Sequence, residues 1–420
     1  MHDVCATVHA LVPLSPFLRT LPLAEHGLQL VAPDAPFAHP LDDGRAVVIE
    51  RSVEQTAESI GGDDGRAYRN LMAPLVAGAR DLMDALLLPP AIRHPLLLAR
   101  FGFRAIRSAS SLARGVFRDE RTRAMIAGVA AHGVVPLEYA GTSGFFLGLA
   151  IAAHATGWPV ARGGSQRVAA ALVSCLRRLG GDVVSGSPIE RLDQLPPARA
   201  ILCDVGPREL MRLAGARLPA AYRSRLQAYR YGPGVFKMDW ALSEPVPWRA
   251  AGCRRAGTIH LGGTLTEIAD SERAAWNGSV PERPYVLLVQ PSICDPSRAP
   301  AGMHTLWAYC HVPHGSPADM TDRIERQIER FAPGFRECIV ARHAMGPAEM
   351  ERRNRNLVGG DIGGGASDLA QLFRRPVAGL HPHATPVPGL YICSASTPPG
   401  IGVHGMCGHN AAVLALRART

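Results

Sequence analysis

The spacing of apolar residues predicts four helices before the C-terminal segment. Leucine, methionine and alanine recur at helical intervals over residues 67–88, and apolar residues alternate with arginines over residues 94–117. A third helix is predicted over residues 166–179, because the following pair Gly180-Gly181 is typical of a helix C-terminus. A capped helix is predicted over residues 321–331.

Residues 1–40 are rich in proline and turn residues, so we expect a loop-dominated entry there.

Strand-like patterns in the rest of the chain fall into two groups. One group predicts an antiparallel sheet, and its runs are residues 235–242, 258–261, 285–290 and 305–311. In the other group single strands alternate with helices, as in α/β proteins, and these strands are predicted at residues 182–184, 200–203 and 390–393. A further strand is predicted at residues 44–50.

Composition excludes several classes of protein. With 420 residues, of which 47% are hydrophobic, the chain can bury a large core. The longest apolar run, residues 145–153, is too short to span a bilayer, and the N-terminus lacks a secretory signal. The nine cysteines have no CxxC spacing, which argues against a disulfide framework and favours a reducing, cytoplasmic location.

The net charge of +9 comes almost entirely from arginine, because Lys237 is the only lysine among 45 basic residues. The arginines are dispersed and RNA-binding aromatic motifs are absent, so we expect no nucleic-acid partner. The histidine pairs have no carboxylate or cysteine at metal-ligand spacing, so no metal site is predicted.

The C-terminal segment combines an apolar strand, a turn of small residues and an alanine-rich helix. The turn is Ser394-Ala-Ser-Thr-Pro-Pro-Gly-Ile-Gly-Val-His-Gly405, and the helix covers residues 406–416. Such a turn directs backbone N–H groups and the positive end of the helix dipole to one point, where an electron-rich ligand can sit. Tight packing of the helix on the strand is the alternative explanation for the small residues.

This turn resembles the C-terminal FAD motif of phytoene desaturase-like enzymes, which are flavoproteins of the carotenoid desaturase and amine oxidase superfamily. Three earlier segments match the same superfamily in the same order, namely residues 157–181, 200–207 and 231–248. The resemblance therefore runs from about Trp158 to the end of the chain. It implies FAD as the cofactor and an oxidoreductase as the function.

The resemblance implies roles for the central positions that match. Gly163 and Gly164 lie in a glycine segment that precedes a helix, and Ile189 takes the place of the residue that packs beside the adenine. Cys203 ends the strand that passes under the dinucleotide.

The resemblance also implies roles in the C-terminal turn. Ala395 and Ser396 would lie along the diphosphate and ribityl portion of FAD, with Gly400 in the same turn. Gly402 and Val403 would offer backbone N–H groups to the flavin ring.

Two residues are predicted to be catalytic. The segment around Lys237 resembles the stretch that carries a lysine beside flavin N5 in amine oxidases, and a lysine amine can hold a water near a reacting centre. An incidental surface lysine on a strand is the alternative. His404 lies in the turn that would face the flavin, and it is the candidate acid, base or hydrogen-bond partner.

We therefore predict an α/β fold, in which an FAD-binding Rossmann-type domain, incomplete at its N-terminus, carries an inserted α+β substrate domain built on an antiparallel sheet. The FAD domain would comprise a remnant with entry loops in residues 1–40, a central part in residues 157–215 and a C-terminal part in residues 386–420. The substrate domain would have a helical part in residues 41–156 and a sheet part in residues 216–385.

A dinucleotide-binding fold begins with a strand, the spacing G-x-G-x-x-G and a helix, and none of these precedes His2. From the size of a βαβ unit we expect that about 40 to 50 residues are absent. The chain as written is therefore expected to bind FAD poorly.

The function predicted is a dehydrogenase or desaturase type of oxidoreductase that acts on an apolar substrate of isoprenoid or lipid type. An amine oxidase and a non-catalytic truncated relative with a binding or regulatory role are the alternatives. The basic, amphipathic residues 94–117 either cap the substrate cavity or rest on a membrane surface, which would make the protein peripheral to the membrane.

Overall fold

A computed structural model describes residues 1–89 and 94–418. Residues 90–93 and 419–420, which the predicted segments 41–156 and 386–420 include, lie outside the described residues. The strands are β1 (Leu30–Val31), β2 (Ala35–Pro40), β3 (Ala46–Ile49), β4 (Val160–Ala161), β5 (Ile201–Cys203), β6 (Gly234–Leu242), β7 (Ala256–Leu261), β8 (Val286–Val289), β9 (His304–Val312), β10 (Ile339–Met345) and β11 (Leu390–Ile392).

The α-helices alternate with these strands only in part of the chain. They are α1 (Val53–Ile60), α2 (Gly62–Ala77), α3 (Ala79–Leu87), α4 (Pro95–Ala105), α5 (Ala109–Val116), α6 (Glu120–Ala130), α7 (Thr142–Thr156), α8 (Gln166–Arg178), α9 (Pro207–Ala214), α10 (Ala220–Gln227), α11 (Leu265–Trp276), α12 (Thr321–Phe331), α13 (Pro347–Arg353), α14 (Leu369–Leu372) and α15 (Met406–Arg417).

The largest sheet has seven strands in the order β10-β6-β9-β8-β7-β2-β3. The four strands predicted between residues 235 and 311 form its centre, and neighbouring strands are antiparallel except for the parallel pair β2 and β7. The sheet is therefore mixed rather than purely antiparallel. The expectation of a loop-dominated entry missed β2, because Pro36 and Pro40 lack ladder donors and resemble turn residues.

Successive side chains of these strands alternate between two packed faces. One face, here called the helix-facing side, carries Phe37, Leu287 and Trp307 and packs in one apolar cluster with α2, α6 and α7. The opposite face carries residues such as Trp240 and Leu288 and packs against α12. Both faces are covered, which explains why these strands contain long runs of apolar residues.

A second, smaller α/β part contains the parallel pair of β11 and β5, and α9 and α15 pack beside it. The prediction of a strand at residues 182–184 was wrong. Val183 and Val184 are exposed in an irregular segment that has no neighbouring strand within the described residues. Without a partner for its ladder hydrogen bonds, a β-branched sequence does not form a strand.

Two predicted helices are each divided. The prediction over residues 67–88 corresponds to α2 and α3, which meet at Gly78, where Leu97 packs within 2.7 Å of the position of an added Cβ. The prediction over residues 94–117 corresponds to α4 and α5, and the Ser108 side chain caps α5 by accepting from the Ser111 N–H. The helices predicted at residues 166–179 and 321–331 are confirmed by α8 and α12. The cap predicted for the second helix is wrong, because Met320 occupies the N-cap position and forms no side-chain cap.

Three histidines lie around the helix-facing side of the sheet, with His39 and His260 buried and His132 half-buried. Burial lowers the pKa of His39 to about 4 and that of His132 to about 3, and it holds the pKa of His260 well below its ordinary value. All three rings are therefore neutral in the folded protein at neutral pH. The unfolded chain, by contrast, protonates its histidines near pH 6.5.

This difference predicts a loss of stability in mild acid. Between pH 6.5 and about 4 the unfolded state binds a proton at His39 and the folded state does not, so the free energy of unfolding falls as pH falls. His39→Gln keeps a donor for the Gly263 carbonyl, which His39 Nε2 bonds at 2.8 Å. We expect this variant to reduce the pH slope by about 1.4 kcal/mol per pH unit, measured by urea unfolding at pH 7.5, 6 and 5. The control His343→Gln, at an exposed position of β10, should leave the slope unchanged, and parallel curves for the two variants would contradict this account.

Candidate active site

The C-terminal turn joins β11 to α15, as predicted, and its backbone bends at three glycines. Gly400, Gly402 and Gly405 have φ angles of 102°, 131° and 67°, which L side chains rarely adopt. Their spacing is G-x-G-x-x-G, and they follow a strand and open a helix, as the glycines of a dinucleotide-binding turn do. A dinucleotide-binding fingerprint is expected near the start of a chain, so the same spacing near the C-terminus is easily overlooked.

The turn presents unbonded backbone donors. Gly402 and Val403 are exposed, and within residues 1–89 and 94–418 their N–H groups donate no hydrogen bond. They precede the N-terminus of α15, where the helix dipole is positive. This donor set fits an anionic or electron-rich ligand such as a flavin ring. The predicted roles of Gly400, Gly402 and Val403 stay predictions that this geometry supports.

His404 is buried in the same turn, and both of its ring nitrogens are used there. Nδ1 accepts from the Met406 N–H at 3.0 Å, so the proton lies on Nε2, which donates to the Gly400 carbonyl at 3.2 Å. Burial lowers the pKa of His404. These contacts fix the turn against α15, and the predicted role of His404 as an acid or base stays a prediction.

Ala395 and Ser396 lie directly after β11 and contact a glycine loop formed by residues 361–367. The Ser396 hydroxyl donates to the Gly364 carbonyl at 2.7 Å, and an added Cβ at Gly364 would lie 2.9 Å from Ala395. The sequence of residues 361–365 alone predicts an ordinary loop. The structure instead places it against the predicted diphosphate and ribityl positions.

A buried guanidinium holds this loop to the turn. Arg375 donates to the carbonyls of Ala395 at 2.8 Å, Gly365 at 2.6 Å and Ala366 at 3.0 Å. Asp361 accepts from the Gly232 and Gly363 N–H groups at 2.7 Å each, and burial raises its pKa. Arg375 had no signal in the sequence, because it is one arginine among many and its acceptors are backbone atoms.

Cys203 and Ile189 lie in the same α/β part. Cys203 ends β5 beside Ile392, and its carbonyl accepts from the Cys393 N–H at 3.0 Å. Burial raises the pKa of the Cys203 thiol to about 11, which keeps it protonated. Ile189 is half-buried in the irregular segment after α8, and its predicted place beside an adenine stays a prediction.

The glycine segment before α8 is held by carboxylates of the protein. The Gly163 N–H donates to Asp295 at 2.7 Å, and the Ser165 N–H donates to Asp3 at 2.7 Å. The fully buried Arg298 joins these carboxylates, at 2.7 Å from Asp3 and 2.9 Å from Asp295. The Gly164 N–H donates to the Ala161 carbonyl at 3.1 Å, so all three N–H groups of residues 163–165 are already used. The cofactor-binding role predicted for Gly163 and Gly164 stays a prediction.

Lys237 lies on the helix-facing side of β6 and is 1% exposed, so it is not the incidental surface lysine of the alternative interpretation. Its amine pairs with Asp239 and lies 5.7 Å from the centre of the Trp307 ring. Burial alone would raise the pKa of Asp239, but hydrogen bonding by His2 and the charge of Lys237 hold it below its ordinary value. Lys237 is thus a buried cation with one carboxylate partner.

A single N-terminal stretch connects Lys237 to the C-terminal turn. His2 Nδ1 lies 3.4 Å from Asp239, and the charge of Lys237 acts on the Cys5 thiol. Further along, Leu11 lies 2.8 Å from the position that a Cβ on Gly402 would occupy. The two groups predicted to face the flavin, Lys237 and Gly402, therefore border the same short segment of backbone.

Comparisons with known proteins agree with the resemblance inferred from the sequence. The mouse protein named pyridine nucleotide-disulfide oxidoreductase domain-containing protein 2 is 32% identical over 221 residues, which are 48% of this chain and 38% of that protein. The lycopene-forming phytoene desaturase of Paracoccus sp. is 24% identical over 275 residues, which are 59% of this chain and 52% of that enzyme. The chain thus spans between about a third and a half of these relatives. No protein-family model matches it.

Solved structures share the fold. An oxidoreductase from Methanosarcina mazei has a TM-score of 0.57 at 15% identity, with 96% of this chain and 85% of that chain covered. Putrescine oxidase bound to putrescine has a TM-score of 0.55 at 14% identity, with 98% and 86% covered. These likenesses agree with the expected resemblance to phytoene desaturase-like enzymes, and the solved structures confirm the predicted α/β fold class.

The open donors of the turn predict how a glycine substitution affects ligand binding. Gly402→Ala strains a φ of 131° and brings a methyl group against Leu11, so we expect added FAD to bind at least about tenfold more weakly, measured by quenching of flavin fluorescence. Gly408→Ala is the matched control, because Gly408 lies inside α15 with open space around it. Equal affinities for the two variants would remove Gly402 from the site.

Proposed function

We propose that this chain acts in an FAD-dependent oxidoreductase of the dehydrogenase or desaturase type, on an apolar substrate of isoprenoid or lipid class. The observation that carries the proposal is the connection between Lys237 and the open N–H groups of Gly402 and Val403 through the segment from His2 to Leu11. The names of the relatives, which include phytoene desaturases and amine-oxidising enzymes, support the same class of reaction.

FAD, when bound, supplies the two-electron acceptor for removal of hydrogen from a substrate. The residues of this chain that would hold it are those of the C-terminal turn, with N–H donors from Gly402 and Val403 and the backbone after β11. Lys237 would donate a hydrogen bond near the reacting edge of the ring, held in place by Asp239 and Trp307.

An apolar substrate fits the surroundings of Lys237. The helix-facing side of the sheet and the helices α2 to α7 form one continuous apolar cluster, and Leu287, Val289 and Trp307 are its members on the strands. An amine substrate carries a positive charge that needs a carboxylate. The buried carboxylates on this side already have partners, since Asp239 pairs with Lys237 and Glu272 with His311. This pairing favours an apolar substrate over the amine oxidase alternative.

Replacement of Lys237 separates a role in catalysis from a role in binding. We expect Lys237→Met to retain FAD affinity within about twofold and to slow reoxidation of the reduced flavin by oxygen at least about tenfold, because the buried donor is lost. The measurement is stopped-flow absorbance of dithionite-reduced protein mixed with oxygenated buffer, which needs no substrate.

The chain has no second lysine to serve as a control, so an arginine takes that place. Arg342→Met removes a cation from the neighbouring strand β10, where Arg342 is exposed and lies opposite Trp240, on the other face of the sheet from Lys237. It should leave reoxidation unchanged. Unchanged reoxidation in Lys237→Met would remove Lys237 from the site. A protein that takes up no FAD under any condition would favour the non-catalytic alternative.

We also infer contact with an anionic membrane surface through α4. Leu96, Phe103 and Ile106 are 86%, 80% and 62% exposed, and Arg100 and Arg104 lie between them. Apolar side chains flanked by arginines are typical of helices that lie in the interface of a bilayer. Within the described residues, no helix has both the length and the apolar character needed to cross one.

Vesicle sedimentation tests this contact. We expect the protein to sediment with vesicles that contain phosphatidylserine and to sediment less with purely phosphatidylcholine vesicles, because the arginines favour anionic lipid. Leu96→Ser combined with Phe103→Ser should abolish the binding, whereas Leu380→Ser, at an apolar residue that is 95% exposed outside α4, should not. Equal binding by both variants would show that α4 is not the contact.

A further inference from the structure

One row of side chains crosses the helix-facing side of the sheet. Strand pairing places Lys237 opposite Tyr309, Tyr309 opposite Leu287 and Leu287 opposite His260. The backbones of Lys237 and His260 are therefore three strand spacings apart, or about 14 Å. The row has a cation at one end, a histidine at the other, and mostly apolar surface between them.

A second histidine extends this row away from the sheet. His132, which follows α6, lies with its Nε2 2.9 Å from Nε2 of His260. Burial lowers the pKa of both rings, so both are neutral at physiological pH. Each neutral ring carries one proton, and one of the two rings must donate across this contact.

The remaining nitrogens decide which ring donates. Nδ1 of His260 is buried and has no partner within the described residues, whereas Nδ1 of His132 keeps accessible surface and has no protein partner there. A buried N–H without an acceptor is rarer in proteins than a buried acceptor without a donor. The proton of His260 therefore belongs on Nε2, where it is donated to His132. His132 must then carry its own proton on Nδ1.

His132 and Tyr309 both keep accessible surface on the helix-facing side of the sheet. Desolvation shifts the pKa of His132 and Tyr309, and yet part of each side chain remains accessible. A polar group that keeps accessible surface can form a hydrogen bond with a ligand. Cys5, beside Lys237, has the same combination of desolvation and exposure.

We propose that the Nδ1–H of His132 binds an acceptor oxygen of the substrate, such as a carbonyl or hydroxyl oxygen, and that His260 positions His132 for this contact. The inference rests on the proposed function and narrows its substrate class. The substrate is an apolar molecule that carries one oxygen group at the His132 end of the row, about 14 Å from the Lys237 end. A pure hydrocarbon would leave this donor without an acceptor.

The tautomers can be measured without any ligand. In protein labelled with ¹⁵N-histidine, long-range ¹H–¹⁵N correlation spectra distinguish rings protonated at Nδ1 from rings protonated at Nε2, and His132→Phe and His260→Phe assign the two signals. We expect His132 to be protonated at Nδ1 and His260 at Nε2. A His132 protonated at Nε2 would overturn the proposal.

Binding tests the substrate class, with 2-undecanone and undecane as matched probes supplied from cyclodextrin. We expect wild-type protein to bind the ketone more tightly, and His132→Phe to weaken ketone binding about tenfold with little effect on undecane. His132→Asn, whose amide places a donor near the position of Nδ1, should restore part of the ketone affinity. Unchanged ketone affinity in His132→Phe, or no uptake of either probe by the wild type, overturns the proposal.

These measurements do not depend on flavin or on turnover. A protein with no redox activity that still binds the ketone through His132 would defeat the proposed function and leave this inference standing. A redox-active protein in which His132→Phe leaves ketone binding unchanged would support the proposed function and overturn this inference.

Discussion

The candidate site depends first on the register of the seven-stranded sheet. Side chains alternate between the two faces of a strand, so a slip of one residue in the pairing of β6 with β9 would move Lys237 to the opposite face, among the residues that pack against α12. The register is fixed by burial on both faces, because the same slip would move Trp240 out of the cluster that packs against α12 and onto the helix-facing side. The same register aligns Lys237 with Tyr309 and His260 across neighbouring strands.

Buried arginines supply the second constraint, because they hold irregular backbone near the site in place. Arg375 binds carbonyl oxygens of the glycine loop and of Ala395, and Arg298 joins Asp3 to Asp295 beside Gly163. A guanidinium has five donors in a planar fork and can connect several acceptors at once. Such anchoring allows Gly402 and Val403 to keep open donors without losing a defined conformation.

Much of the fold could be predicted from the sequence, because its signals are local. The strands β6 to β9 follow from their runs of apolar residues, and the helices α8 and α12 follow from helical spacing within each segment, with Gly180 ending α8. The errors have non-local causes. Residues 182–184 have strand composition but no neighbour to pair with among the described residues, and β2 is a strand despite two prolines because β3 and β7 lie on either side of it.

The candidate site also has parts that local sequence signals predict and parts that depend on contacts between distant residues. The turn from Ala395 to Gly405 could be found in the sequence because strand, glycines and helix are contiguous. Arg375 and the contact between His132 and His260 could not, since 128 positions separate the two histidines and each looks like an ordinary histidine in isolation. Lys237 is the exception, and the acceptors around it explain why it is a lysine. Within the described residues its charged partner is Asp239 alone, a carboxylate that also contacts His2. The five donors of an arginine would exceed these acceptors and leave buried N–H groups unpaired, whereas a compact ammonium ion has only three donors and can pair with one carboxylate.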